Sequence, residues 1–240
     1  MLVATKGIVF NSLKYSENSL ICRIYTEQLG IKSYLINTPK GRKKRMALYQ
    51  PLTMLDLVVY NKENKNLNRI KEMHCEEPLL TVPHNVFKST AALFVAEILY
   101  KAVKEEEPNA ALYSFIRHFV KLLDVAERNY ADYHLVFLIH LTQFLGFYPK
   151  SAALENVRYF DMVEGRFCSV KPLHSACIEQ PLSTSFYKLL HSDYHNTNKL
   201  MLNGSLRQQL LQKILLYYKI HLEGMGSVKS AEVLKSVFHD

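Results

Sequence analysis

Apolar and polar side chains alternate with a period of two through the first 80 residues of the chain. The alternation is clearest in TKGIVFNSLKY, SLICRIYTE, IKSYLINT, LTMLDLVVYN and LNRIKEMHC. Residues typical of turns, among them Gly30, Pro39 and Gly41, separate these segments. The pattern therefore predicts five short strands. Five strands in about 80 residues suit a small closed barrel without exposed sheet edges, and a five-stranded OB-fold barrel is the natural candidate.

Beyond Pro78 and Pro83 the apolar residues recur with a helical period. Helices are predicted over 85–104, 111–127, 131–147 and 205–224, with a last short helix before the C-terminus, which makes five or six in all. The segment 131–147 is apolar on almost every side, so we expect it at the centre of the bundle. Ser205 and Gln208 form a candidate capping box for the helix that follows them.

These two periodicities predict an α+β chain with an all-β head and an all-α body. We place an OB-fold domain at residues 1–80 and a helical domain at 81–240, with an irregular insert around 149–182. At 240 residues and 48% hydrophobic residues, the chain can bury proper cores in both parts.

Positive charge is concentrated in the predicted barrel. Residues 1–80 contain 13 Lys and Arg against 7 Asp and Glu, whereas residues 81–240 contain 17 against 15. Five of these cations fall within six positions: Lys40, Arg42, Lys43, Lys44 and Arg45. A crowded group of like charges favours either a solvated loop or a polyanion-binding site. A basic head on a nearly neutral body indicates the second.

Catalytic and metal-binding signatures are weak. The sequence contains no HExxH, GxSxG, P-loop or GxGxxG motif. Of its ten histidines, five fall in predicted elements without metal-ligand spacing: His74 in a strand, and His118, His134, His140 and His221 in helices. Cys168, His174 and Cys177 are the one group to consider as zinc ligands, but structural zinc usually takes four ligands and commonly uses CxxC pairs, which are absent. We therefore expect no enzyme activity, no zinc and no other cofactor.

The cysteine spacing, the lengths of the apolar runs and the N-terminal pattern together predict where the protein is located. The four cysteines are far apart, which is typical of free thiols in a reducing compartment. No run approaches the roughly 18 consecutive apolar residues that a membrane helix needs, and the N-terminus has no signal-peptide pattern. We expect a soluble, cytoplasmic protein without membrane contact.

Several short motifs in the predicted barrel resemble the bacterial recombination mediator family RecO. The family pattern has a Y-x-E-x-S/D-x-L turn, a T-x-x-x-G turn, a basic glycine-containing loop and then L-Q-P. The matching residues here are Tyr15, Glu17, Ser19 and Leu20; Thr26 and Gly30; Lys40, Gly41 and Arg42; and Tyr49, Gln50 and Pro51. In the helical part, FLGFYP at 144–149 and HLEGMGSVKSAEVL at 221–234 are similar to two further family segments.

The resemblance implies a non-enzymatic, nucleoid-associated mediator of recombinational DNA repair in bacteria. Such a protein binds single- and double-stranded DNA without sequence preference, anneals strands, engages single-strand-binding protein, and acts with RecR to load RecA. It also implies a groove for the acidic tail of single-strand-binding protein, for which the helix from 111 offers Arg117, Lys121 and Arg128. Many relatives carry a four-cysteine zinc knuckle that this chain lacks, which implies a zinc-free version.

Strand alternation extends the candidate DNA surface beyond the five clustered cations. If Leu20, Cys22 and Ile24 point into the barrel, Arg23 points outward. If Ile31, Ser33 and Leu35 point inward, Lys32 and Tyr34 lie outside. The hypothesis is that Arg23, Lys32 and Tyr34 join the basic segment in one nucleic-acid surface. The alternative for Tyr34 is that its ring simply covers the barrel.

Other classes of protein remain open at this point. Another basic OB-fold protein that binds nucleic acid would show the same charge distribution. A helical transcriptional regulator would carry its basic residues on a recognition helix, whereas here they cluster in the strand-rich half. A nuclease would need carboxylates around a divalent ion. A mediator explains a basic five-stranded head on a neutral helical body better than these do.

Overall fold

The computed structural model describes residues 1–37, 43–61, 67–104, 106–151 and 157–238, with the backbone alone at 43–45. The chain forms two compact units, Met1–Val125 and Ala126–Asp240. The domain boundary predicted between residues 80 and 81 falls inside the first unit, where the strands give way to helices. No helix among the described residues is both long and apolar enough to cross a bilayer.

The first unit contains a closed five-stranded barrel, which confirms the predicted fold. Its strands are β1 (Leu2–Ser16), β2 (Ser19–Thr26), β3 (Gly30–Asn37), β4 (Met54–Tyr60) and β5 (Leu67–Cys75). The strand order around the barrel is β1-β2-β3-β5-β4, and β1 pairs with both β2 and β4. All pairings are antiparallel except that of β3 with β5.

The length and irregularity of β1 allow one strand to pair on both sides. Leu2–Ile8 pairs with β4, and Gly7–Ser16 pairs with β2. The register with β2 shifts by one residue between Val9 and Asn11, and again between Lys14 and Ser16. Extra residues of this kind bend a strand and increase its twist, which helps a sheet to close.

Ten buried side chains form the main cluster of the barrel interior. They are Val9, Leu20, Cys22, Ile24, Tyr34, Ile36, Tyr49, Leu55, Leu57 and Val59. The predicted inward positions in β2 are thus confirmed. Apolar burial on this scale supplies most of the free energy that holds a small barrel together.

Two helices, α1 (Val86–Ala102) and α2 (Ala110–Val125), belong to the same unit as the barrel. Phe10 of β1 stacks on Tyr25 of β2 with ring centroids 5.5 Å apart, and Tyr25 stacks on Tyr113 of α2 at 6.4 Å. The Tyr25 hydroxyl donates to the carbonyl of Asn109. One side of the barrel wall is therefore buried by helices rather than left to solvent.

Gly30 is required at the turn between β2 and β3. Its φ is +63°, and a Cβ there would lie 2.5 Å from the carbonyl oxygen of Glu106. Thr26 stabilises the same turn, because its Oγ1 donates to the Gly30 carbonyl and accepts from the Leu29 N–H. The T-x-x-x-G pattern therefore has a direct structural cause.

A buried carboxylate ties the segment between barrel and helices to the end of α2. Asp124 accepts hydrogen bonds from the backbone N–H groups of Leu80, Thr81 and Val82 at 2.8–2.9 Å. Lys88 of α1 donates to the Asp124 carbonyl at 2.8 Å. Burial raises the pKa of Asp124, but the backbone hydrogen bonds outweigh it and leave the pKa below its usual value.

The second unit is helical with a small sheet inserted. Its helices are α3 (Tyr133–Phe144), α4 (Leu182–Leu190), α5 (Gly204–His221) and α6 (Ser230–Val237). The insert forms a three-stranded sheet in the order β7-β6-β8, with β6 at Tyr159–Asp161, β7 at Arg166–Cys168 and β8 at Cys177–Glu179. As predicted, α3 is buried on nearly every side.

The predicted start of α5 was slightly wrong. The cap is Asn203, whose side chain accepts a hydrogen bond from the Leu206 N–H at 2.8 Å, and Ser205 already lies inside the helix. Asn is among the best N-cap residues, so the backbone begins its first turn before the expected capping box.

We predict that Asp124→Asn lowers the free energy of unfolding by roughly 1–3 kcal/mol at neutral pH, because backbone donors lose a charged acceptor. The contribution of a carboxylate with a lowered pKa is fully present above about pH 3.9 and is lost as the pH falls through the folded-state value. The difference from wild type should therefore shrink in acid. Urea denaturation at several pH values, followed by circular dichroism, measures it.

Asp56→Asn is the matched control, because Asp56 is exposed on β4. It should change the free energy of unfolding by less than about 0.5 kcal/mol. A loss for Asp124→Asn that is equally small at neutral pH would contradict the proposed role of this carboxylate.

Candidate nucleic-acid interface

The clustered cations follow directly from the end of β3. This strand ends at Asn37, which pairs with Ser19 at the start of β2. Lys40 and Arg42 lie outside the described residues, whereas the backbone of 43–45 opens a 3₁₀ segment, Lys43–Tyr49. Tyr49 is 3% exposed and belongs to the barrel interior. The barrel thus anchors the chain on both sides of the basic cluster.

Arg23 and Lys32 have partners within the first unit. The Arg23 guanidinium lies 5.5 Å from the centre of the Tyr100 ring of α1. Lys32 Nζ donates to Glu106 Oε2 at 2.6 Å, and this hydrogen bond holds the pKa of Glu106 below its usual value. Glu106 is largely exposed, so its pairing with Lys32 is screened and weak. A nucleic-acid phosphate could therefore compete for Lys32.

The predicted outward orientation of Lys32 and Tyr34 was wrong. Lys32 pairs with the inward-facing Ile24, so its side chain starts on the inner face of β3 and reaches Glu106 from there. Tyr34 is 1% exposed and belongs to the barrel interior. It pairs with the inward-facing Cys22, and residues directly opposite each other in a sheet point to the same face. Ile31, on the other face of β3, is also buried. Because β3 carries apolar residues on both faces, alternation alone could not show which face points into the barrel.

Arg117 and Lys121 of α2 pair with two consecutive glutamates after β5. Arg117 donates to Glu76 Oε1 at 2.7 Å, and Lys6 of β1 donates to the same oxygen at 2.6 Å. Lys121 lies 2.5 Å from Glu77. Burial raises the pKa of Glu76, but the hydrogen bonds from Arg117 and Lys6 outweigh it and leave the pKa lowered.

Arg128 is not on the same helix as Arg117 and Lys121. The sequence prediction placed all three on one helix, but α2 ends at Val125. Arg128 is exposed in the turn that follows and belongs to the second unit.

An apolar groove of about 680 Å³ lies within the first unit. Residues from the 3₁₀ segment, the region after β5 and α1 line it, among them Leu48, Leu79, Val82 and Leu93. Glu77, the partner of Lys121, also lines the groove. The first unit therefore contains an apolar groove and, beside it, the cation Lys121, which pairs with the lining residue Glu77.

The three zinc candidates lie in and beside the small sheet of the second unit. Cys168 is in β7 and Cys177 is in β8, on opposite sides of β6. His174 Nε2 is 3.3 Å from Asp161 Oδ1. In the described part of the chain, no three His, Cys, Asp or Glu side chains are grouped to hold a metal ion. The expectation of a zinc-free chain stays a prediction.

Sequence reasoning missed the apolar residues that the barrel leaves exposed. Leu13, Tyr15 and Tyr60 are 56%, 65% and 42% exposed. The period of two shows that these residues lie in strands. Only the register between the strands shows that they are on the outer face of the barrel.

Comparison with known proteins covers the whole chain. The family model "Recombination protein O N terminal" matches residues 1–79, and "Recombination protein O C terminal" matches 83–231. Similar relatives include the DNA repair protein RecO of Bacteroides fragilis (37% identity), of Phocaeicola vulgatus (35%) and of Flavobacterium psychrophilum (36%). Each alignment covers 99% of this chain and 100% of the relative.

We predict that Tyr34→Ala lowers the free energy of unfolding by about 3–5 kcal/mol, as for other large aromatic residues in cores. Tyr34→Phe should be neutral or slightly stabilising, because the buried hydroxyl has no hydrogen-bond partner among the described residues. Urea denaturation of the two variants measures both effects. A Tyr34→Ala protein as stable as wild type would contradict the burial of this ring and support the outward orientation.

We predict that Glu76→Ala is more destabilising than Glu77→Ala. Glu76 is 8% exposed and accepts from two cations, so its loss should cost roughly 1–3 kcal/mol. Glu77 is 51% exposed, and its loss should cost less than about 1 kcal/mol. Denaturation curves of the two single variants give the comparison. Equal losses of unfolding free energy would argue against Glu76 as a stabilising shared acceptor for Lys6 and Arg117.

Proposed function

This chain belongs to the Recombination protein O family, and from that membership we propose that it is a DNA-binding recombination mediator in DNA repair. It binds single- and double-stranded DNA without sequence preference, anneals complementary strands and has no catalytic activity. It acts with RecR and single-strand-binding protein to load RecA, on DNA in the cytoplasm. Magnesium-dependent strand cleavage by the pure protein would contradict the non-catalytic part.

One observation carries the DNA-binding part of the proposal: a closed barrel anchors, on both sides, a segment with five cations. Neutralising phosphates releases condensed counterions, so such a segment contributes affinity that falls steeply with salt. Phosphates are the same in every sequence, so these contacts carry no base preference. An annealing protein needs this property, since it must bind any two complementary strands.

The groove in the first unit supports the proposed contact with single-strand-binding protein. An acidic tail ending in phenylalanine needs an apolar cavity for the ring and a cation for a carboxylate. The groove offers the cavity, and Lys121 offers the cation if the tail carboxylate displaces Glu77. Arg117 is less available, because it already pairs with the buried Glu76. Arg128 belongs to the proposal only as an exposed cation of the second unit.

The basic segment is tested by changing Lys40, Arg42, Lys43, Lys44 and Arg45 together to alanine. We predict a large loss of affinity for a labelled mixed-sequence oligonucleotide, with a shallower slope of log K against log salt concentration. Fluorescence anisotropy across a salt series measures both quantities.

The matched control removes the same charge from exposed positions of the second unit. Its five changes to alanine are at Arg158, Arg166, Lys188, Lys199 and Lys219. The control should bind nearly as wild type does, because the proposal places the phosphate contacts in the basic segment and not at these positions. Equal losses in both variants would show that only net charge matters, and unchanged binding of the first variant would reject the segment as the DNA site.

A further inference from the structure

We propose that the outer wall of the barrel around the β1–β2 hairpin stacks the unpaired bases of single-stranded DNA, with Tyr15 and Leu13 as the main contacts. This inference rests on the proposed function, because it assigns the base-binding part of the same DNA surface. It replaces Tyr34, which lies inside the barrel, as the aromatic platform.

The strand register places five outward side chains in one row across the wall. Leu13 pairs with Ile21, Ile21 with Leu35, Leu35 with Arg69, and Arg69 with Tyr60. Residues opposite each other on neighbouring strands share a face and lie roughly 5 Å apart. The row is therefore continuous from β1 through β2, β3 and β5 to β4.

Among the described residues, this row is the exposed apolar part of the barrel wall. Leu13 and Tyr60 at its ends are 56% and 42% exposed, and Ile21 and Leu35 are half-buried. Elsewhere on the wall, Phe10 stacks on Tyr25 and Tyr25 stacks on Tyr113 of α2, and all three rings are buried. The helices thus cover one apolar region of the barrel surface and leave the other exposed.

Tyr15 is the most exposed member of this region, at 65%. The register of β1 with β2 shifts between Lys14 and Ser16, which makes Tyr15 an extra residue next to the hairpin turn. Bulges of this kind often redirect a side chain at a functional site. A large exposed ring beside a turn is a poor contribution to stability but a suitable stacking platform for a base.

Charge identifies nucleic acid as the occupant. Arg69 lies within the row, Arg23 follows Ile21 by two residues on the same face, and Lys14 is exposed beside Tyr15. Glu17 is the acidic residue in the hairpin turn. Asn37, from which the basic segment departs, pairs with Ser19 beside that turn. The chain therefore leaves β3 for the basic segment at the hairpin end of the barrel.

The occupant must be single-stranded, because a duplex hides the faces of its bases. Aromatic and apolar side chains stack on any exposed base with little sequence preference, while neighbouring cations hold the backbone. The strand 2–3 face of an OB-fold barrel commonly binds oligonucleotides in this way. Stacking would hold a strand with its bases accessible at the edges, which is the state that annealing requires.

The test compares two single-stranded probes of equal length, one of mixed sequence and one with every nucleotide abasic. Tyr15→Ala should weaken binding of the mixed-sequence strand by about 5- to 150-fold, the range for loss of one stacked base. It should leave binding of the abasic strand and the salt slope unchanged, because phosphate contacts remain. Tyr15→Phe keeps the ring and should keep wild-type affinity.

Leu13→Ser should also weaken binding of the mixed-sequence strand. Its matched control is Leu80→Ser, since Leu80 is 72% exposed in the first unit and lies outside the row. The control should bind both probes as wild type does. Circular dichroism confirms that each variant is folded, and an effect of Leu80→Ser as large as that of Leu13→Ser would overturn the assignment.

The outcomes separate this inference from the proposed function. If wild type binds single strands but Tyr15→Ala and Leu13→Ser bind them equally well, the stacking site is rejected and the mediator proposal stands. If the variants lose affinity for mixed-sequence and abasic strands alike, the row contacts the backbone and the inference is again wrong. If wild type binds no single-stranded DNA at all, both proposals fail.

Discussion

Closure of the barrel through β1 is the interaction on which the first unit depends. This one strand pairs with β2 along one edge and β4 along the other, so all five strands bury their inner residues in a common interior. Without that double pairing, β4 and β2 would be exposed sheet edges. Closure also fixes the ends of β3, from which the basic segment departs, and the register of the outer row.

The same barrel explains why charge can be concentrated here. Like charges close together raise the free energy of a folded domain. The first unit offsets part of this with internal partners, as Lys6 and Arg117 share Glu76, Lys121 pairs with Glu77, and Lys32 pairs with Glu106. The segment that carries the clustered cations at 40–45 is flanked by Asn37 and Tyr49, which the barrel holds in place. An anionic partner there would relieve repulsion as it binds.

Sequence periodicity predicted the barrel, the inward face of β2 and the buried α3, because each has a clear period and a single environment. It failed for Tyr34, because both faces of β3 carry buried residues and alternation then cannot show which face points into the barrel. It also missed the three short strands between 159 and 179, since three residues are too few to show a period. Partners such as Glu76 for Arg117 depend on long-range contacts, which no local pattern contains.

The most direct measurement of the central claim is photocrosslinking of the wild-type protein to single-stranded DNA that carries 5-iodouracil, with the crosslinked peptides mapped by mass spectrometry. The account predicts crosslinks in the β1–β2 hairpin, with Tyr15 as a main site, and in neighbouring strands of the barrel. Crosslinks confined to the second unit, residues 126–240, would contradict the claim that the barrel binds single-stranded DNA.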